Sequence, residues 1–293
     1  MLLLQTLIAG IAAGSIYALI ALGLVLIYKS SGVINFAQGG LVMIGAFIAY
    51  TVLTKTGVPL WAAFPIILAL SALLGIVIEK LILRHMTGVS LISVIMVTLG
   101  INFVIEGSAT AVWGTSNFSF PKIFPSVSLN LGGIAISEVY LWGFSIAIVI
   151  LVVFLLFFKY SKMGLAMRSV ADNQKASVSL GLSPSKIFSL SWALSCIVAT
   201  IGGIVLANIK LLNVGLGYIG LVVFPVVILG GLDSIAGAVI GGFIIGLLES
   251  ISGVYISRLI GGAVEQVISF VVLLIILLVR PYGLFGTKEI LRL

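Results

Sequence analysis

This chain has little of what catalytic sites are built from. It contains one cysteine, Cys196, and one histidine, His85, and only 8% of its 293 residues are charged. A single cysteine excludes an internal disulfide and a cysteine metal cluster, and a single histidine excludes an H-E-x-x-H zinc motif. The sequence also lacks a G-x-x-x-x-G-K-[ST] phosphate loop, the usual means of binding ATP for hydrolysis. We therefore expect a protein that is not an enzyme and that binds no metal or cofactor of its own.

What the chain does have is apolar residues, which make up 61% of it. A helix needs roughly 20 apolar residues to cross a bilayer, and stretches of that length recur without the alternation of barrel strands. They cover residues 1–28, 30–54, 56–78, 86–105, 139–158, 187–209, 211–232, 235–256 and 259–279. The pattern predicts an all-α, polytopic transmembrane helical bundle of nine spans that forms a single domain over residues 1–293. The number falls to eight if 211–232, which contains Pro225, is a broken or re-entrant helix.

Basic residues are unevenly divided between the two ends of these spans, and such residues favour the cytoplasmic side. With the C-terminal tail, 280–293, in the cytoplasm, 11 of the 15 basic residues lie inside and 4 lie outside. The outside residues are Lys55, Lys122, Lys210 and Arg258. This division predicts an outside N-terminus and an inside C-terminus, and the net charge of +7 suits contact with anionic lipid headgroups.

The longest polar stretch, 159–186, holds five of those basic residues and one acid. Residues 163–181 within it are typical of a short amphipathic helix that ends at Gly181, shortly before Pro184. Such a helix docks into the groove of a partner protein or lies on lipid headgroups. The second long connection, 113–138, is rich in aromatic residues, proline and glycine. It is either an external docking cap or a connecting loop at the membrane interface.

Polar side chains inside apolar spans are costly and are candidates for a functional role. They are Asn35, Gln38, Asn102, Glu106 and Glu249. Asn102 and Glu106 are four residues apart, on one face of a helix. These side chains either line a translocation path or hydrogen-bond neighbouring helices.

Three pairs of glycines are also spaced four residues apart, a spacing that allows helices to approach closely in lipid. The pairs are Gly10 and Gly14, Gly237 and Gly241, and Gly242 and Gly246. We interpret them as packing contacts of a tight bundle.

Five motifs together carry a resemblance that runs nearly end to end. They are GSIYALI at 14–20, INFA at 34–37, YSKMG at 160–164, LGGLDSIAGAVIGG at 229–242 and PYGLFG at 281–286. The chain resembles the membrane-spanning permease subunits of branched-chain amino acid (leucine/isoleucine/valine) ABC importers.

The resemblance implies a multi-pass protein of the cytoplasmic (inner) membrane that works with several partners. These are a second permease subunit, expected to be a paralogue, two cytoplasmic subunits that use ATP and magnesium, and an extracytoplasmic substrate-binding protein. The basic stretch would then be the coupling element that contacts the ATPase. The coupling residues it implies are Met163, Gly164, Arg168, Asp172, Lys175, Ala176 and Gly181.

This chain departs from the family pattern at three places. The coupling pattern E-A-A-x-x-x-G reads Lys175-Ala-Ser-x-x-x-Gly181 here, so the acid is missing and Asp172 is expected to replace it. Gln38-Gly-Gly40 stands where many relatives have histidine, glycine and glutamate, which removes a titrating group. Asp233 stands where relatives commonly have glycine. These changes leave the substrate open between branched-chain amino acids, other amino acids, urea and short amides.

A second hypothesis is a self-sufficient secondary transporter in which Glu106 and Glu249 carry protons. A channel comes third. A membrane-embedded enzyme is least compatible with one histidine and one cysteine.

Overall fold

The computed structural model describes residues 2–86, 88–121, 123, 128–131, 134–261 and 264–286. Within these residues the chain forms twelve α-helices and one two-stranded sheet. The helices are α1 Leu2–Ser31, α2 Gln38–Lys55, α3 Leu60–Leu81, α4 Leu91–Trp113, α5 Glu138–Tyr160, α6 Lys162–Asp172, α7 Gln174–Ser179, α8 Pro184–Ile209, α9 Ile219–Gly230, α10 Ile235–Ile251, α11 Ser257–Ile260 and α12 Val264–Val279.

Seven helical stretches of the described chain are long and apolar enough to cross a membrane. They are α1 to α5, α8 and the continuous run 235–259, in which a π-helix, Ser252–Ile256, joins α10 to α11. The two remaining apolar segments form shorter helices, over 214–230 and 267–279. The helical bundle predicted from the sequence is therefore present, and the number of spans and the orientation stay predictions.

The stretch 211–232 is not one continuous α-helix. A 3-10 helix, Val214–Tyr218, leads into the 12-residue α9, which contains Pro225. The change from 3-10 to α-helix falls between Tyr218 and Ile219, among glycines that add backbone freedom, whereas α9 continues through Pro225. The sequence left a broken or re-entrant helix open for this stretch, and the resulting choice between eight and nine spans stays a prediction.

The fold divides into two compact units. The first combines Met1–Val25, Phe124–Val149 and Leu221–Leu293, and the second combines Leu26–Ile123 and Ile150–Gly220. Each unit is thus assembled from segments far apart in the sequence.

The first unit is held together by backbone contact at glycines. A Cβ atom added to Gly246 of α10 would lie 2.4 Å from the Cα of Gly14 on α1, and one added to Gly14 would lie 2.7 Å from the carbonyl oxygen of Gly242. A Cβ on Gly241 would lie 2.3 Å from the carbonyl oxygen of Val226 on α9. These distances leave no room for a side chain, so the glycine spacing serves helix packing, as the sequence predicts.

The second unit is built around α2, α3 and α8, which also approach at glycines. A Cβ on Gly203 of α8 would lie 2.3 Å from the carbonyl oxygen of Val42 on α2, and one on Gly75 of α3 would lie 2.4 Å from that of Trp192 on α8. The Thr200 hydroxyl donates to the Ser71 hydroxyl across 2.8 Å. Trp192 is fully buried among these helices.

The predicted external connection begins as an extension of the second unit. The indole N–H of Trp113, the last residue of α4, donates to the Thr51 hydroxyl at 2.9 Å, and its ring stacks on Phe47 with 5.0 Å between centroids. Phe118 exchanges backbone hydrogen bonds with Leu212. Further along, Ser128–Leu131 (β1) and Ile134–Ser137 (β2) form an antiparallel hairpin in which Leu131 pairs with Ile134.

Several predicted features fall outside the described residues. They are Lys122, the segment 124–127, Gly132, Gly133 and the last part of the cytoplasmic tail, 287–293, with Lys288 and Arg292.

Candidate translocation and coupling sites

Two of the predicted path residues, Asn35 and Gln38, meet at the connection between α1 and α2. The amide of Asn35 donates from Nδ2 to Oε1 of Gln38 at 3.1 Å, and its Oδ1 accepts from the N–H of Ala37 at 3.0 Å. This second bond is the local turn contact that asparagine makes two residues on. Both side chains are completely buried, so asparagine here shapes the chain where it leaves one helix and enters the next.

Gln38 also ties this connection to α8. Its Oε1 accepts from the Ser195 hydroxyl at 3.2 Å. Ser195 is 157 residues away along the chain, and serine is common in membrane helices as a small helix-contact residue. Sequence reasoning therefore missed Ser195, because nothing in its neighbourhood distinguishes it from a packing serine.

Asn102 of α4 stabilises the start of α2. Its Oδ1 accepts from the N–H of Gly40 at 3.0 Å. The first N–H groups of a helix have no partner within the helix, and a side chain from another helix satisfies this one. One turn earlier on α4, the Thr98 hydroxyl accepts from the N–H of Phe36 at 3.3 Å. This face of α4 thus holds the whole connection in place.

Glu106 lies one turn beyond Asn102 on α4 and is partly buried. Its side-chain carboxylate has no hydrogen bond or ion pair with any residue in the part of the chain that the structure describes. The two residues of the predicted pair therefore differ in their hydrogen bonding. Asn102 is engaged in an internal bond, and the carboxylate of Glu106 is available to a ligand.

The remaining path candidate, Glu249 of α10, is in the first unit and is nearly buried. Its Oε1 accepts from the Ser269 hydroxyl of α12 at 2.6 Å, and its side chain also hydrogen-bonds the Tyr17 hydroxyl of α1. A carboxylate buried in apolar surroundings needs such donors. Sequence reasoning missed both Tyr17 and Ser269. For Ser269 a signal was present, because it is a hydroxyl residue in a mainly apolar helix, four residues after Glu265.

The coupling segment, defined as 161–182, contains two helices rather than the one predicted for 163–181. Asn173 breaks the helix, with φ −156° and ψ 98°. Its Oδ1 accepts from the N–H of Ala176, and this bond caps the start of α7. Ser161 starts α6 in the same way, by accepting from the N–H of Gly164 at 2.8 Å. Asparagine and serine are favoured at this position because their side-chain oxygens bind free N–H groups of the first turn. Two short helices joined by a bend result.

The inner face of α6 anchors the coupling segment to the second unit. Ala166, Met167 and Val170 are buried. Gly164 approaches the end of α5 so closely that a Cβ on it would lie 2.6 Å from the carbonyl oxygen of Phe157. Arg168 donates to the carbonyl oxygen of Lys159 at 3.3 Å, which satisfies one of the free carbonyls at that helix end.

The outer face of the coupling segment is exposed and mixed in polarity. Leu165 is 58% and Leu180 80% exposed, and Lys162, Asp172 and Gln174 are exposed as well. Of the predicted coupling residues, Met163, Asp172, Ala176 and Gly181 are exposed, Arg168 is partly buried and Gly164 is buried. Lys175 belongs to α7. Gly181 ends the segment with φ +80°, a conformation that glycine adopts without strain.

A further charged cluster, which the sequence did not reveal, lies close to the coupling segment. Glu79 of α3 is only 2% exposed and accepts two hydrogen bonds from Arg84, one from Nε at 3.3 Å and one from Nη2 at 3.1 Å. Ser189 of α8 donates to the same carboxylate. Glu79 stands at the end of an apolar run, where a glutamate is expected to face water. The available signal in the sequence was that Arg84 follows Glu79 by five residues, a spacing at which the two can pair.

We expect Arg84→Ala to destabilise the folded chain by about 1–3 kcal/mol, because Glu79 stays buried without its partner while the exposed side of Arg84 limits the loss. The measurement is the thermal unfolding midpoint of the purified chain in detergent. Lys80→Ala is the matched control, since Lys80 is an exposed cation next to Glu79 at the end of α3. Equal midpoints for the two variants would contradict a stabilising role for the pair.

The fold and the sites together define a class. Apolar helices of membrane-spanning length, helix contacts made by glycine backbone, and polar side chains held inside the bundle are the features of a multi-pass membrane transport protein. The family model described as "Branched-chain amino acid transport system / permease component" matches residues 6–277. The chain belongs to this family of permeases.

Curated relatives match over nearly the whole chain. The high-affinity branched-chain amino acid transport system permease protein BraD of Pseudomonas aeruginosa is 29% identical, with 98% of this chain and 97% of that protein covered. The corresponding protein LivH of Escherichia coli strain K12 is 28% identical, with 98% and 96% covered. A probable LivH of Methanocaldococcus jannaschii is 27% identical, with 95% and 92% covered.

A chain in the solved structure of PsaBC from Streptococcus pneumoniae in complex with Fab has a similar fold. The TM-score is 0.51 at 13% sequence identity, with 96% of this chain and 93% of that chain covered. At this identity the similarity concerns the fold.

Proposed function

We propose that this chain is a permease subunit of an ABC importer that moves branched-chain amino acids across the cytoplasmic (inner) membrane. ATP and magnesium are used by two partner subunits in the cytoplasm, and an extracytoplasmic binding protein delivers the substrate. A second permease, a paralogue of this chain, completes the path. The observation that carries the proposal is the family match over 6–277 together with an anchored coupling segment that exposes Leu165, Val178 and Leu180.

The proposed orientation has the coupling segment in the cytoplasm and the N-terminus outside. The excess of basic residues on the coupling-segment side supports it. Trp113, which stacks on the buried Phe47, then lies at the outer end of α4, where tryptophan favours the membrane interface.

The mechanism we propose is alternating access driven through the coupling segment. Leu165, Val178 and Leu180 present apolar surface to a groove of the ATPase. ATP binding by the partner moves the segment. Its inner face, Met167 and Val170, is packed into the second unit, so the movement reaches the spanning helices.

Within the path, Glu106 is the residue we assign to the charged end of the substrate. Its carboxylate is partly buried on an apolar helix, and a carboxylate there binds an ammonium group with a charge-assisted hydrogen bond. Asn35, Gln38 and Asn102 are engaged in bonds within the second unit, which favours a positioning role for them. The substrate's apolar side chain suits the apolar lining of the spans.

Gentle affinity purification of this chain from native membranes, followed by mass spectrometry, tests the assembly. We expect a second, similar permease and two kinds or copies of an ATP-hydrolysing subunit to copurify. Reconstitution of that assembly with its binding protein is then expected to give leucine uptake that requires ATP.

A different outcome would favour the alternative hypothesis. If crosslinking captures no partner and the purified single chain takes up amino acids along a pH gradient, the chain is a secondary transporter. Each of the single substitutions Glu106→Gln and Glu249→Gln is then expected to stop transport, because each removes a proton carrier.

A further inference from the structure

A cavity of about 260 Å³ opens in the second unit beside the coupling segment. It lies where the ends of α3, α4, α7 and α8 come together, and its walls include Leu83, Val94, Phe188 and Trp192. Three polar side chains are among the lining residues: Ser31 at the end of α1, Glu79, and Gln174, the first residue of α7. None of the residues predicted for transport or coupling lines this cavity.

Glu79 lines the cavity and has one unused hydrogen-bonding position. A carboxylate has about four acceptor positions, and three are taken by Nε and Nη2 of Arg84 and by the Ser189 hydroxyl. Oε1 accepts one bond and Oε2 accepts two, so the remaining position is on Oε1. The buried carboxylate can therefore accept one more donor from a ligand in the cavity.

The charges around Glu79 limit which ligand can bind. The carboxylate is already neutralised by the guanidinium of Arg84 at 3.1 Å. A ligand with a net charge would bring an uncompensated charge against apolar walls, which is costly. A zwitterion avoids this cost, because its ammonium group reaches Oε1 while its carboxylate stays at the mouth, where Val89 and Leu91 are exposed.

The size and lining of the cavity restrict the ligand further. Pockets for drug-sized ligands have volumes of about 300–1,000 Å³, and this cavity lies just below that range. Its leucine, valine and aromatic walls favour an aliphatic body. A single amino acid with an apolar side chain meets the requirements of volume, charge and lining.

We infer that this cavity binds a free aliphatic amino acid, with its ammonium group on Glu79 and its side chain against Val94 and Trp192. The assignment of its cytoplasmic location, and of the imported amino acid as the ligand, rests on the proposed function. Gln174 lines the cavity and begins α7, so an occupant contacts the coupling segment. Internal amino acid bound here restrains α7 and slows the transporter.

Binding is tested on the assembled transporter in nanodiscs of phosphatidylcholine, without the binding protein. This lipid has no primary ammonium group, so a lipid headgroup cannot substitute for the ligand. Isothermal titration calorimetry measures the affinity for leucine and, separately, for 4-methylpentanoate, which has the same aliphatic body without the ammonium group. We expect saturable leucine binding and affinity for 4-methylpentanoate weaker by about tenfold or more, because the hydrogen bond to Glu79 is lost.

The site is located with two matched tryptophan variants of α4. Leu91 lines the cavity and is 55% exposed, whereas its neighbour Ile92 is 70% exposed and does not line it. Leu91→Trp is expected to remove leucine binding, and Ile92→Trp is expected to retain it. Glu79→Gln, which keeps the shape and one acceptor oxygen, is expected to weaken binding by about tenfold. Unchanged leucine binding in Leu91→Trp would overturn the assignment.

A second measurement separates failure of this inference from failure of the proposed function. In proteoliposomes whose ATPase subunits face the medium and whose lumen holds the binding protein, leucine added to the medium is expected to slow ATP hydrolysis about fivefold, the lower end of usual allosteric coupling. ATP-driven leucine transport that is insensitive to leucine on the ATPase side would refute the inference alone. Leucine binding without ATP-driven transport would refute the proposed function alone.

Discussion

Replacing Ala176 with tryptophan is expected to abolish ATP-driven uptake while leaving the chain folded. Ala176 is exposed on α7, in the outer face of the coupling segment. A tryptophan there disturbs the fit to a partner's groove through steric clash. An exposed substitution usually changes stability by less than about 0.5 kcal/mol. The measurements are leucine uptake by the reconstituted transporter and the thermal unfolding midpoint of the variant.

Thr115→Trp is the control for Ala176→Trp. Thr115 is also exposed, in the connection after α4, and lies on the proposed outer side of the membrane. We expect it to retain uptake, since it adds the same side chain away from the ATPase. Normal uptake by Ala176→Trp would remove the coupling assignment from α7.

Gly181 offers an independent test of the same segment. Its φ of +80° strains any other residue, at a cost of about 1–2 kcal/mol, although no atom lies within 4 Å of an added Cβ. Gly57 is the matched control. It follows α2, on the proposed outer side of the membrane, has φ +64°, and also has no atom within 4 Å of an added Cβ. Gly181→Ala is therefore expected to reduce uptake more than Gly57→Ala at a similar loss of stability.

The substitution Gly246→Leu is expected to prevent the chain from accumulating in a folded form. An added Cβ would lie 2.4 Å from both N and Cα of Gly14, and 2.6 Å from the carbonyl oxygen of Gly10. Overpacking a well-packed core costs about 1–3 kcal/mol, and here the obstacle is the backbone of α1, which cannot change rotamer. Expression with a fluorescent fusion and size-exclusion chromatography in detergent measures the folded fraction.

Gly107→Leu is the matched control for Gly246→Leu. Gly107 also lies inside a helix, α4, with no atom within 4 Å of an added Cβ. We expect this variant to stay folded, and even to gain up to about 1 kcal/mol from the better helix propensity of leucine. A folded fraction for Gly246→Leu equal to that of Gly107→Leu would show that α1 and α10 do not depend on this contact.

The assignment of polar residues shows where sequence reasoning stops. Position within an apolar run made Asn35, Gln38, Asn102, Glu106 and Glu249 equal candidates. The structure separates them by their partners, since hydrogen bonds engage all but the carboxylate of Glu106 in the described residues. Their roles in translocation stay predictions.

The coupling segment illustrates a different limit. Its position, charge and end at Gly181 could be read directly from the order of residues. Its division at Asn173 could not, because the amphipathic pattern continues through it. The asparagine side chain competes for the backbone N–H of Ala176, and such local competition ends one helix and begins the next.

By itself, the sequence determined that this chain is a multi-pass helical membrane protein, because the thickness of a bilayer fixes the length and polarity of its spans. It also indicated the tight glycine contacts and carried the family resemblance. Only the tertiary structure decided that Glu79 is buried with Arg84 and Ser189, that Gln38 meets Ser195, and that a cavity opens beside α7. The physical reason is that a local pattern specifies which side chains must leave water, whereas the partner that satisfies each buried polar group is supplied by distant parts of the chain.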